Sequence, residues 1–150
     1  MEQTMELEIL EFKAGGNFYA ADVSDINEIL PYNKKTTPVP NSHPFLEGII
    51  MPRDFLISIV DLVKNLNLDD VDDLKREMLI VTGIKNLNIA FHVDSVVGIH
   101  RINRSEVAKP GKKLSTSVKG VVTGIYTKGD KKIELLDLKK MISDINPNLV

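Results

Sequence analysis

The chain has 150 residues, 43% of them hydrophobic and 27% charged, with a formal net charge of −2 and no cysteine. This is the composition of an ordinary soluble globular protein, with room for one domain or two very small ones. It excludes disulfides, thiolate nucleophiles and Cys-ligated metals, fits a reducing cytoplasm, and offers no basic footprint for nucleic acid.

Taken in order, the elements are mostly short β-branched runs separated by turn chemistry. The opening MEQTMELEIL is acidic and lacks the basic and apolar regions of a secretion signal. LEILEF (7–12) leads through Gly15 and Gly16, suited to a hairpin turn, into FYAADV (18–23). SDINEIL (24–30) sets Ile26, Ile29 and Leu30 at helical spacing behind Ser24, which predicts a single helical turn. TTPVPN (36–41) is extended, because Pro38 and Pro40 bias the residues before them away from the helical region. GIIMPRDFLISIVDL (48–62) is two apolar runs split by Pro52, Arg53 and Asp54.

LVKNLNL (62–68) and the acidic DDVDDLKRE (69–77) read as a connector and as the best subdomain boundary. MLIVTG (78–83), LNIAFHV (87–93) and VVGIHRI (96–102) resume strand patterning. EVAKPGKKLSTSVK (106–119) reads as a long polar loop, GVVTGIY and KIELLDL as a hairpin around TKGDK, and LDLKKMISDI (136–145) as a closing helix. No apolar run approaches the roughly 20 residues that span a bilayer.

A weak internal repeat runs through these elements. With Val23 placed on Val93, Ile26 meets Val96 and Ile29 meets Ile99. With Asp61 placed on Asp137, IVDLVK (59–64) lies over LLDLKK (135–140). GII at 48 then mirrors GVV at 120 if four residues are inserted in a hairpin loop, a change that costs little entropy. The repeat predicts two similar curled sheets or barrels of about 70 residues, each too small to stand comfortably alone and therefore sharing an apolar interface.

Catalytic chemistry is scarce. There is no phosphate-binding glycine loop and no nucleophile elbow. His92 and His100 lie on neighbouring predicted strands, without the carboxylate company of a metal site, and read as outward-facing polar residues. Asp69, Asp70, Asp72 and Asp73 lack the glycine and spacing of a calcium loop. Asp61 and Asp137 are best explained as caps of the turns that begin there. What stands out is a set of lone charges on apolar elements: Glu28 in INEIL, Glu47 in FLEGII and Arg53 in MPRDF. A lone arginine in a strand–strand turn is usually only solvated; the alternative is an interface anchor.

FYAADVSDINEIL, TTPVPNSHPFLEGIIMPRDFLISIVDL, IAFHVDSVVGIHRI and VVTGIYTKGDKKIELLDLKKMI together resemble the CheW-like chemotaxis coupling family, over about residues 6 to 146. The family's NLRG turn is MPRD here, which keeps Arg53 and puts Asp54 in place of glycine. Both ends of the chain look closer to the CheW-like domain of CheV, which normally carries a receiver domain after it. A stand-alone coupler and an excised domain both fit. The resemblance implies a mainly β fold, with two packed SH3-like five-stranded barrels and a short C-terminal helix. The barrels are expected at about 12–70 and 77–135, with terminal segments crossing between them.

The resemblance also implies a non-enzymatic, cytoplasmic adaptor without cofactor. One surface would dock the regulatory domain of the histidine kinase CheA, and another the helical cytoplasmic tip of a chemoreceptor. Ile26, Glu28, Ile29, Gly48, Arg53, Val93 and Val96 are the expected partner-binding residues, with Glu28 and Arg53 at the margin of an apolar groove between the barrels. The alternative reading is a CheV-like module that binds receptors without activating the kinase. A small-barrel RNA-binding protein or an enzyme fits the charge and the motifs less well.

Overall fold

The computed structural model of the chain describes residues 5–33, 36–68 and 76–146. Its strands are β1 (Glu6–Ala14), β2 (Asn17–Asp22), β3 (Glu28–Pro31), β4 (Leu46–Ile50), β5 (Ile57–Asp61), β6 (Met78–Ile84), β7 (Leu87–Val93), β8 (Ser95–Asn103), β9 (Val107–Ala108), β10 (Val122–Lys128) and β11 (Lys131–Leu136). Two short helices, α1 (Leu62–Asn65) and α2 (Leu138–Ile145), each follow a strand directly. Asp61 caps the first by accepting from the Lys64 amide, and Asp137 caps the second through the Lys140 amide. The capping expected of these two aspartates is what the structure contains.

The strands form a six-stranded sheet in the order β8-β1-β2-β11-β10-β9 and a five-stranded sheet in the order β3-β6-β7-β5-β4. The sixth strand of the larger sheet is the two-residue β9, which falls within the stretch read as a long polar loop. One pair in each sheet is parallel, β2 with β11 and β5 with β7; the others are antiparallel.

The expected division at 12–70 and 77–135 is corrected by this topology. β1 and β2 belong with β8–β11, whereas β3 sits with β4–β7. The chain changes sheet after β2 and again after β7, so the acidic connector is not where the sheets part. Residues 69–75 of that connector lie outside the described residues.

The repeat survives in a different form. β1, β2, β11, β10 and β8 of the larger sheet occupy the places that β6, β7, β5, β4 and β3 hold in the smaller one. No insertion is needed, because the counterpart of Gly48 is Gly124 and not Gly120. Both interrupt the register of their hairpin, Gly48 opposite Ile59 and Gly124 opposite Leu135. Both also allow another segment to come close: a Cβ at Gly48 would strike the Thr37 carbonyl, and one at Gly124 the Val107 side chain.

Two local expectations change as well. The helical turn is a 3-10 turn over Val23–Asp25, with Asp22 as its cap, and Glu28, Ile29 and Leu30 of INEIL belong to strand β3. LVKN, taken for connector, is α1 and buries Leu62 and Val63. The largest apolar cluster draws on both sheets and both helices, through Phe12, Tyr19, Leu62, Phe91, Leu138 and Met141 among others. Smaller clusters lie within each sheet, around Ile9 and Ile133 in one and Ile57 and Leu79 in the other. Each large side chain buried this way contributes roughly 1.5–3 kcal/mol.

Candidate docking surface

Glu28 opens β3 at an edge of the five-stranded sheet, and Arg53 lies in the turn joining β4 to β5. The two side chains form an ion pair, which also ties the turn to the edge strand. Arg53 remains 59% exposed, and its guanidinium lies 5.3 Å from the centre of the Phe55 ring. Close to the pair along the chain, Ile29, Met51 and Leu56 are exposed, with Met51 at 63%, and so is Asp54. A charged pair with exposed aliphatic groups nearby in the chain is suited to a partner with one apolar stripe and flanking charge.

The other expected residues are distributed unevenly. Gly48 is buried and works through its backbone, where Thr37 bridges to Ile49. Ile26 and Val96 are half-buried and lean on the shared core. Val93 is fully buried at the end of β7 and cannot touch a partner, which corrects its place among the docking residues. β7 is covered on both faces from Ile89 to Val93, and Val93 packs into the core shared by the two sheets.

The expected groove with Glu28 and Arg53 at its margin is also revised. An apolar cavity of about 280 Å³ does lie beside α2, lined by Leu46, Val60, Leu87, Ile89, Ile142 and Ile145 among others. Neither Glu28 nor Arg53 lines it. A second exposed apolar strip was missed. Val97 and Ile99 project outward from β8, an edge strand of the six-stranded sheet, at 49% and 58% exposure. The alternation of VVGIHRI carries that signal, although periodicity alone does not say which face is covered.

Two of the three histidines are drawn into carboxylate networks on separate sheets. Glu11 on β1 is fully buried and accepts from Lys131 Nζ at 2.7 Å, with His100 Nε2 at 2.6 Å. Burial opposes its ionisation, but Lys131 and His100 outweigh that cost and hold the carboxyl below its ordinary value. His92 on β7 bonds Glu47, which accounts for one of the lone charges.

A sequence profile of the CheW-like domain matches residues 8–146. The chain belongs to the CheW-like domain family. It is 34% identical over 142 residues to the chemotaxis protein CheW of Thermotoga maritima, covering 93% of this chain and 90% of that protein. It is also similar to chemotaxis protein CheV3 of Helicobacter pylori, 25% identical over 95% of this chain and 49% of the relative. The crystal structure of the scaffolding protein TtCheW from Thermoanaerobacter tengcongensis superposes with a TM-score of 0.82. At 24% identity it covers 97% of this chain and 98% of its own. The fold is therefore the CheW-like one, mainly β, with two SH3-like subdomains and a short C-terminal helix.

Proposed function

We propose that this chain is a non-enzymatic cytoplasmic adaptor that couples the cytoplasmic tips of chemoreceptors to the histidine kinase CheA. Family membership supports the chemotaxis role, and no helix among the described residues is long and apolar enough to cross a membrane. The observation that carries the reading is the Glu28–Arg53 pair, whose arginine is exposed, with Ile29, Met51 and Leu56 exposed near it along the chain. This surface takes the receptor tip, a helical hairpin whose apolar stripe covers the aliphatic groups while its charges meet the ion pair.

An adaptor needs a second surface. The outward Val97 and Ile99 on edge strand β8 suit the kinase's barrel-bearing regulatory domain, because an edge strand offers backbone groups as well as apolar area. The similarity to CheV3 favours a second reading, a module that binds the receptor and leaves the kinase unstimulated.

The test is an amide-resolved NMR titration with a receptor-tip hairpin and then with the CheA regulatory domain. Separate shift patches, one around Arg53 and one around Ile99, are expected. Arg53→Glu keeps the parent's fold, with spectral changes confined to the 51–56 turn and β3, and weakens receptor binding about tenfold or more, the loss of roughly 1.4 kcal/mol. Unchanged receptor affinity in that variant sinks the assignment of this surface. Receptor binding without kinase binding selects the second reading.

A further inference from the structure

His92 is 4% exposed, yet both of its ring nitrogens face acceptors. Nδ1 lies 2.8 Å from Glu47 Oε2 on β4, and Nε2 lies 3.0 Å from the backbone carbonyl of Arg76. A peptide carbonyl can only accept, so Nε2 must carry a hydrogen. An ionised carboxylate can only accept as well, so a second proton must sit between Nδ1 and Oε2. With that proton both contacts are bonds. Without it the ring has one N–H for two acceptors, and whichever tautomer it adopts, one nitrogen lone pair is pressed against an oxygen in a nearly dry site. Such a contact costs rather than contributes.

The ring joins pieces of chain that are far apart in sequence. Glu47 belongs to the irregular step of β4, where the register shifts between Leu46 and Gly48. Arg76 leads into β6 and pairs through its side chain with Asp61, the residue beside His92 on β5. Tyr32, just past β3, lays its ring 4.1 Å from the imidazole, centre to centre. The titratable and charged groups facing the imidazole are thus Glu47, Asp61, Arg76 and Tyr32. Together these segments frame the strand that bears Glu28 and the strand that leads to Arg53.

We propose that His92 is a proton-dependent clamp: protonated, it fastens β4 and the Arg76 segment to β7, and on losing its proton it releases one of them. The clamp belongs to the five-stranded sheet itself, so it stands whether or not the Arg53 surface docks a receptor. Its consequence is that the presentation of that surface follows the protonation of this ring.

The experiment is an NMR titration of the whole chain from pH 5 to pH 9. His92 ring nitrogens and backbone amides are followed together, in the parent, Glu47→Gln and His92→Gln. At the acid end both ring nitrogens of the parent are expected to carry protons. As the ring titrates, the amides of Tyr32, Glu47, Gly48, Arg76 and Glu77 should move with the same midpoint. His92→Gln removes that shared transition. In Glu47→Gln the ring still titrates, while Gly48 and Ile49 no longer respond. If Gln at 92 does not fold, the Glu47→Gln comparison decides by itself. A parent ring that titrates while those amides stay still overturns the proposal. So does a ring that keeps one protonation state throughout the range.

Discussion

Asp94 sits where the chain leaves β7 for β8, only 6% exposed, with one carboxylate oxygen accepting from the Gly16 amide at 3.3 Å. The other oxygen is buried without a hydrogen-bond partner among the described residues. Burial pushes this carboxyl above its ordinary value, against the pull of the Gly16 amide and of Arg76. A raised folded-state value makes Asp94 favour folding at acid pH and oppose it as pH rises through that value. Asp94→Asn keeps an acceptor for Gly16 and removes the buried charge. It is expected to be about 1 kcal/mol more stable than the parent at pH 8 in urea unfolding, an advantage that shrinks as pH falls. Glu11 has the opposite sign. Its depressed value contributes stability above the ordinary 4.5, and that stability is lost as pH drops through the folded value. Glu11→Gln leaves Lys131 and His100 facing an amide and should cost roughly 2 kcal/mol at pH 7. In strong acid, where the parent carboxyl is protonated too, the difference should vanish.

At the scale of elements, the hairpins β4–β5 and β10–β11 are built alike and differ in what presses on their glycines. At Gly48 a new Cβ meets backbone, the Thr37 carbonyl, with the Thr36 methyl at 2.6 Å. At Gly124 it meets a methyl of Val107 on the two-residue edge strand β9, and the Ala108 carbonyl at 3.2 Å. Gly48→Ala is therefore expected to cost roughly 2–3 kcal/mol and Gly124→Ala about 1 kcal/mol, measured by thermal or urea unfolding. Equal costs would mean that the 36–37 segment yields as easily as a side chain. The hairpins were legible in the sequence because each rests on local signals: alternation on either side of a turn residue. The strand assignment of INEIL was not. Ile26, Ile29 and Leu30 fit a helical spacing, and only the bonds of β3 to β6 choose the extended form.

Across the whole molecule, the two halves of the repeat are interlocked. The first gives β1 and β2 to one sheet and β3–β5 to the other; the second gives β6 and β7 to the smaller sheet and β8–β11 to the larger. The segment 115–117 stitches the two together. Ser115 bonds Glu134 at 2.9 Å and the Tyr19 hydroxyl at 2.6 Å, while Thr116 donates to the Leu66 carbonyl at the end of α1. Burial pushes the Tyr19 phenol up to about 12, so the phenol keeps its proton at any physiological pH. The main apolar cluster spans both sheets as well. Unfolding is expected to be a single transition, with calorimetric and spectroscopic curves that coincide. An excised piece covering residues 26–94 should fail to give a dispersed NMR spectrum, because it exposes the shared face of its sheet. A folded excised piece would show that each sheet holds its own core.

The strand-rich class, the two hairpin pairs, the capping aspartates, the family and the two charges that turned out to be paired were legible from the chain alone. All of these depend on neighbours within a few residues or on a motif order that survives without coordinates. Which sheet each strand joins, that Val93 is buried, that Glu28 meets Arg53 and that Glu47 answers to His92 emerged with the pairing of the strands. Those outcomes hang on pairings between distant segments, where a shift of one residue in register exchanges the buried face for the exposed one.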